Sequence, residues 1–155
     1  MKWKKYLPDL LFVLLSLAVG GLSAFAVMKG MPAYLQLRKP PLTPPPVVFP
    51  LVWGALYLLR GLGAGRVWRA GPPRRAAVAA YAVQLVWNAL WTVWFFALQA
   101  HLFAFWWLAA LLGLIALMLG LFARADRPAA WMQLPYLLWT VFAAYLDLGV
   151  WLLNR

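Results

Sequence analysis

The sequence contains no cysteine, a single histidine and only three acidic residues among 155. Without cysteine there are no disulfides, thiolate metal sites or thiol nucleophiles. With three acids and one histidine, no Ser-His-Asp arrangement is available, and no phosphate-binding glycine loop follows a strand. Hydrolase and kinase chemistry are thereby set aside. His101 has no second histidine or cysteine near it in the chain, so no metal site is expected. Charge of either sign is also scarce, at 11% of residues against 66% hydrophobic, with a mean hydropathy of +0.80. A soluble domain does not have this composition, and the bilayer is the expected solvent.

What is present is a succession of long uncharged runs. Nineteen residues separate Asp9 from Lys29, enough for one crossing. A second stretch opens with PPLTPPP, whose prolines place a helix start near Pro46 to Pro50. Arg60 and Arg66 fall in its last turns and are expected either to snorkel or to face the protein interior, and Gly61, Gly63 and Gly65 to weaken that end. Between Arg75 and Arg124 lie 48 residues without a formal charge, about right for two crossings joined by a turn near Gln99 to Leu102. A fifth run follows Pro128, interrupted only by Asp147. The expectation is an all-α membrane protein, one domain over residues 1–155. Its five transmembrane helices are placed at about 8–28, 46–68, 76–98, 102–123 and 129–153, with a lid loop over 29–45. The basic start MKWKKYLPD has the look of a signal peptide, but its cleavage site is weak and it is read as retained.

The formal charge of +11 does not point to nucleic acid, because the basic residues fall between apolar runs, where lipid headgroups lie. Nine Lys and Arg (residues 2, 4, 5, 66, 69, 74, 75, 124 and 127) fall on one side, and Lys29, Arg38, Lys39 and Arg155 on the other. In a plasma membrane this predicts a cytoplasmic amino terminus. The absence of a transit-like extension and the Arg, Ala and Leu bias favour a bacterial cell membrane.

Polar groups in hydrocarbon usually point inward, so their spacing marks candidate interior faces. Tyr81, Gln84, Asn88, Trp91 and Phe95 share one face of helix three. Tyr136, Trp139, Thr140, Ala143 and Asp147 share one face of helix five. Helix two offers Trp53, Tyr57 and Arg60, and helix one only Ser16, Gly20 and Ser23. Helix four has no strong hydrogen-bonding side chain beyond Trp106 and Trp107 and is expected to face lipid or another subunit. Trp3, Trp68, Trp106, Trp107, Trp131 and Trp151 lie near helix ends and read as interfacial anchors. Trp53, Trp91 and Trp139 lie deeper, either lining a site or packing in the bundle. From pattern alone, Asn88 bonds a neighbouring helix. Together the faces suggest a pocket for a large, flat, mostly apolar ligand with polar edges. Small residues at Ala109, Gly113, Ala116 and Gly120, with Ala76 and Ala80, permit close helix approach, either within the monomer or in a homodimer.

The segments Tyr34-Leu-Gln-Leu-Arg-Lys39-Pro40-Pro41-Leu-Thr-Pro44-Pro45 and Pro50-Leu-Val-Trp53-Gly54-Ala-Leu-Tyr57 resemble the first-loop and second-helix signature of the TspO/MBR family, the tryptophan-rich sensory or translocator proteins. The blocks Gln84-Leu85…Asn88-Ala-Leu-Trp91…Phe95-Phe96 and Leu134-Pro135-Tyr136-Leu-Leu-Trp139…Phe142-Ala143…Leu146 are similar to its third and fifth helices, so the resemblance covers residues 5 to 154. It implies five bundled helices, often a homodimer, and a pocket closed by the loop between helices one and two. The implied ligands are protoporphyrin and related tetrapyrroles, benzodiazepine-type and isoquinoline compounds, and cholesterol in animal members. Tyr34, Trp53, Asn88, Trp91, Trp139 and Ala143 match pocket positions, and Ser23 does so on a helix with little motif.

The chain departs from that pattern in three places. Ala33 stands where an aromatic residue often precedes the loop tyrosine, and Asp147 where Asn is usual. A carboxyl in that setting requires a proton or a cation, and Arg60 is the candidate cation. Leu148 and Leu152 replace the tyrosine and basic residue of the animal cholesterol motif, which leaves sterol recognition without support. Three classes follow from the resemblance, in order of preference. The first is a porphyrin-binding sensor or translocator needing no cofactor, with Tyr57 and Asp147 joining the matched positions and Arg38 or Lys39 meeting propionates. The second is a light-dependent porphyrin-degrading enzyme using Trp139 and Trp53. The third is a small secondary transporter, disfavoured by the lack of an inverted repeat and of acids in helices one to four.

Overall fold

The computed structural model describes residues 1–71 and 74–155. A short 3-10 turn, Lys2–Tyr6, leads into α1, Leu7–Gln36, with Pro8 in its first turn, where a missing N–H costs nothing. The others are α2, Val48–Ala70; α3, Arg74–Thr92, continued by a π-helical turn, Val93–Ala97; α4, His101–Ala125; and α5, Arg127–Asn154. All five are long and apolar enough to cross a membrane. Asp126 caps α5 by accepting from the Ala129 N–H at 3.2 Å, ahead of the helix-compatible Pro128.

The first helix runs eight residues past its expected end. Pro32 lies inside it, and helix continues through Lys29 to Gln36. Packing outweighs the lost proline bond here: Gly30 abuts the Phe96 backbone so closely that no Cβ fits, and Tyr34 is buried one turn further on. The connection shrinks from 29–45 to 37–47, and Tyr34 belongs to α1 rather than to the loop. At 30 residues α1 is about 45 Å long, more than the hydrocarbon thickness, so one end stands proud of it.

The glycines of α2 are contact positions rather than weak points. A Cβ on Gly61 would strike the Val13 backbone and one on Gly65 the Asp9 backbone, so α1 and α2 approach across a seam only glycine permits. Gly63 similarly faces Gln133 of α5. α1 packs most extensively on α2, α4 on α5 and α3 on α4. The expectation that α4 faces lipid or another subunit holds for one side of it only. Ala104, Leu108, Leu111, Ile115, Met118 and Phe122 form a stripe with no exposed surface, while Phe103, Trp106 and Leu117 point outward.

The ion pairs lie at one end of the bundle. Arg69 meets Asp9 with Nε at 2.8 Å and Nη2 at 3.1 Å from its oxygens, and Arg66 meets Asp126 at 2.6 and 3.3 Å. Each is a two-pronged guanidinium–carboxylate contact, joining α2 to α1 and to the start of α5.

Candidate functional site

A cavity of about 500 Å³ lies between α1, α2, α3 and α5, at the opposite end from these ion pairs. Its walls are overwhelmingly apolar. α1 contributes Gly20, Ser23, Met31 and Tyr34; α2 contributes Phe49, Trp53 and Tyr57; and α3 contributes Asn88, Trp91, Thr92 and Phe95. α5 adds Ala143, Leu146, Asp147 and Val150, and the connecting loop adds Thr43 and Pro46. Leu17, Met28 and Pro50 belong both to this wall and to the outer surface, so the cavity opens along the α1–α2 seam.

The aromatic rings form a connected frame. Trp53 sits 6.1 Å from Trp91 and 6.3 Å from Tyr57, and Trp91 stacks on Phe95 at 5.5 Å. Tyr34 lies 6.1 Å from Phe95 and 5.6 Å from Phe96. The π turn carries Phe95 and Phe96 to that position, with Leu98 bonding back to the Val93 carbonyl and Ala100 to that of Trp94. Such turns re-aim side chains that an unbroken helix would carry elsewhere.

The loop over the cavity is tied to α5. Asn154 accepts from the Arg38 N–H at 3.0 Å and donates to the Arg38 carbonyl at 2.8 Å. The Tyr145 hydroxyl donates to the Pro41 carbonyl at 2.7 Å, and Pro40 packs onto Gly149. The Lys39 ammonium donates to the Leu35 and Leu37 carbonyls and rests 4.8 Å over the Tyr34 ring.

Of the residues expected from sequence, Ser23, Tyr34, Trp53, Tyr57, Asn88, Trp91, Ala143 and Asp147 converge on this cavity. Trp139 does not: its indole packs 6.1 Å from Phe49 and 5.3 Å from Phe142, behind the wall. Phe49, Thr92, Phe96 and Leu146 line the cavity without having been singled out as its wall. Thr92 carries a helical signal in the sequence, standing four residues beyond Asn88 on the same face.

The Arg60–Asp147 pairing does not form. Arg60 is fully buried and held by neutral groups, with its guanidinium carbon 4.1 Å from both the Tyr57 and the Tyr136 ring centroids. Its nitrogens donate to Gln84 Oε1 at 3.3 Å and to the Leu56 carbonyl at 3.5 Å. The Asn88 amide is assigned with its oxygen toward Arg60, where it accepts at 3.1 and 3.2 Å, because the opposite assignment sets donors against donors. Asn88 thus bonds a neighbouring helix and lines the cavity at once. Asp147 receives the Trp91 indole N–H on Oδ2 at 3.2 Å, and its Oδ1 has no partner among the described residues. Among the described residues there is no cluster of three His, Cys, Asp or Glu side chains that could hold a metal ion.

The arrangement is one for binding: an aromatic cleft, a few fixed polar atoms and a tethered cover. Comparison with known proteins agrees with this architecture. The sequence model of the TspO/MBR family matches residues 12–152. The chain is 34% identical over 155 residues to the tryptophan-rich protein TspO of Chlorobaculum tepidum, covering 97% of this chain and 98% of that one. It is 35% identical over 129 residues to the tryptophan-rich sensory protein of Cereibacter sphaeroides, covering 83% and 81%. It is 34% identical over 131 residues to the translocator protein of Ovis aries, covering 82% and 78%. This multi-pass integral membrane protein therefore belongs to the TspO/MBR family.

Proposed function

We propose that this protein is a membrane receptor of sensory or translocator type that binds porphyrins and flat aromatic drug-like compounds in the cavity beneath the 37–47 loop. The observation that carries the reading is a cleft of about 500 Å³ framed by Trp53, Trp91, Tyr34 and Phe95 and roofed by a loop fastened to α5. That volume lies within the range that holds drug-sized ligands, and aromatic faces suit a planar macrocycle. The names carried by its relatives, sensory protein and translocator protein, support the same class. Propionates of a bound tetrapyrrole would meet the exposed Arg38 at the loop edge.

In this reading the amino terminus is cytoplasmic in a bacterial cell membrane, as the nine-to-four distribution of basic residues favours. Two copies associate through the outward small residues of α4. A Cβ added at Gly113 or Gly120 would meet none of the described residues of its own chain, which leaves room for a second helix. Light-dependent porphyrin degradation is the alternative, and Trp53, which lines the cavity, would be its reactive group.

The test is a protoporphyrin titration in the dark, followed by tryptophan quenching, with Trp53→Leu alongside. Saturable quenching that weakens about tenfold in the variant is expected, the equivalent of about 1.4 kcal/mol of contact. Quenching that never saturates and is identical in both proteins overturns the assignment. Loss of the porphyrin band under light, absent in Trp53→Leu, would establish the enzyme instead.

A further inference from the structure

We propose that this cavity selects ligands carrying a protonated amine, held by Asp147 against the aromatic wall. The inference rests on the reading of the cavity as a ligand site and adds a chemical class to it.

The chain has three acidic side chains, and two are each matched by an arginine through two hydrogen bonds: Asp9 by Arg69, and Asp126 by Arg66. Asp147, 1% exposed, has none. Its Oδ2 takes the Trp91 N–H at 3.2 Å, which leaves Oδ1 a buried acceptor with no partner among the described residues, on a side chain that lines the cavity. A buried carboxylate with one neutral donor is under-compensated, and charge-assisted bonds are the strongest remedy.

Among the described residues, no cation supplies that remedy. Arg60, the cation on the α2 side, spends its nitrogens on Gln84, Asn88 and the Leu56 carbonyl, and both its faces on Tyr57 and Tyr136. The Lys39 ammonium is taken up by the Leu35 and Leu37 carbonyls. With no cation of the protein in place, the remedy left is a proton on Asp147 itself or a cationic donor that arrives with the ligand, and an ammonium keeps the carboxylate charged and adds a charge-assisted bond. The surrounding rings favour the same chemistry, since Trp91, which donates to the carboxylate, and Trp53, whose ring centroid is 6.1 Å from that of Trp91, both line the cavity that a cation would enter. An aromatic body with an ammonium on a short arm satisfies both the frame and the carboxylate. A ligand offering only anionic or carbonyl oxygen at that point would face Oδ1 unfavourably.

The experiment uses the full-length protein in zwitterionic nanodiscs at neutral pH, with empty nanodiscs subtracted. The probes are an anthracene bearing a 3-dimethylaminopropyl arm and its neutral counterpart, in which CH replaces the amine nitrogen. The amine is expected to bind at least about tenfold more tightly, the scale of one charge-assisted hydrogen bond. In Asp147→Asn that preference is expected to vanish, read as the ratio of the two probes' affinities for the same protein rather than as either affinity alone. Equal binding of the two probes to the unaltered protein overturns the inference and leaves the ligand site standing. A preference that persists in Asp147→Asn also overturns it, by locating the selectivity elsewhere. Failure of both probes to bind saturably removes the site reading together with the inference.

Discussion

Trp87 and Trp107 stack face to face with ring centroids 3.8 Å apart and planes 10° from parallel, and each donates its indole N–H to the other's backbone carbonyl, at 3.0 and 2.8 Å. The pair closes the α3–α4 seam beneath the π turn. Trp107 is thereby a structural clasp rather than the interfacial anchor its place near a helix end suggests, whereas Trp106, beside it, points outward. Trp107→Phe keeps a ring on Trp87 and deletes one hydrogen bond, so it should lower unfolding stability by about 1 kcal/mol. Trp107→Ala removes the stack as well and should cost about 1 kcal/mol more. Reversible unfolding in mixed detergent would measure both, and equal losses would mean that the stack contributes nothing.

The α1–α2 seam gives a sharper contrast. Gly61→Ala and Gly65→Ala each force a methyl into the α1 backbone and should lower the thermal midpoint by several degrees or prevent folding. Gly113→Ala on α4 meets none of the described residues of its own chain, so in a monomer it should be neutral, or more stable by up to about 1 kcal/mol through helix propensity, and any loss would report the second copy packed there. If Gly113→Ala were as damaging as Gly65→Ala, the outward face of α4 would have to be packed against another helix, and the molecular mass in lipid should then be that of a dimer.

The five spans were legible because charge bounds each uncharged run, and a run's length decides how many crossings it holds. The interior faces of α3 and α5 were legible too, since Asn88, Trp91, Ala143 and Asp147 recur at helical spacing and all four reach the cavity. The exit of α1 was not. Pro32 and Lys29 both look like terminators locally, and only the contacts of Gly30 and Tyr34 across the bundle carry the helix past them. The buried stripe of α4 was invisible for a different reason: a helix apolar all round presents no polar face by which to tell its inner side. Rarity of charge suggested that Arg60 and Asp147 would find each other. Spacing within a helix says which side chains point inward, but not which neutral groups on other helices arrive first, and Gln84, Asn88 and two tyrosine rings did.

Arg60 itself is open to test. Arg60→Met leaves the oxygens of Gln84 and Asn88 facing no donor, at a cost of about 1 to 3 kcal/mol for each buried group left unsatisfied. Arg60→Lys retains the charge but not the planar guanidinium between Tyr57 and Tyr136, and should fall between the two. Adding Gln84→Leu to Arg60→Met removes one orphaned acceptor and should restore part of the loss. No recovery in the double variant, by equilibrium unfolding, would show that the Gln84 contact is not what the arginine stabilises.

The loop over the cavity should behave as a cover whose residence time depends on its ties to α5. Asn154 holds Arg38 through two hydrogen bonds and Tyr145 holds Pro41 through one, all at exposed positions where water competes, so each is worth about 0.5 to 1 kcal/mol. Asn154→Ala removes two and should raise the open population about fivefold to thirtyfold. Tyr145→Phe removes one and should raise it by about twofold to fivefold, the square root of that factor. Asn154→Asp keeps the acceptor for the Arg38 N–H while losing the donor to its carbonyl, and should resemble Tyr145→Phe. Because none of these side chains lines the cavity, intrinsic contacts with a bound ligand are untouched. The change should therefore appear as faster amide exchange over residues 38–43 and as ligand association and dissociation accelerated together, with the dissociation constant nearly unchanged. A variant that weakened binding without altering either rate of exchange or of association would mean that the loop shapes the pocket instead of gating it.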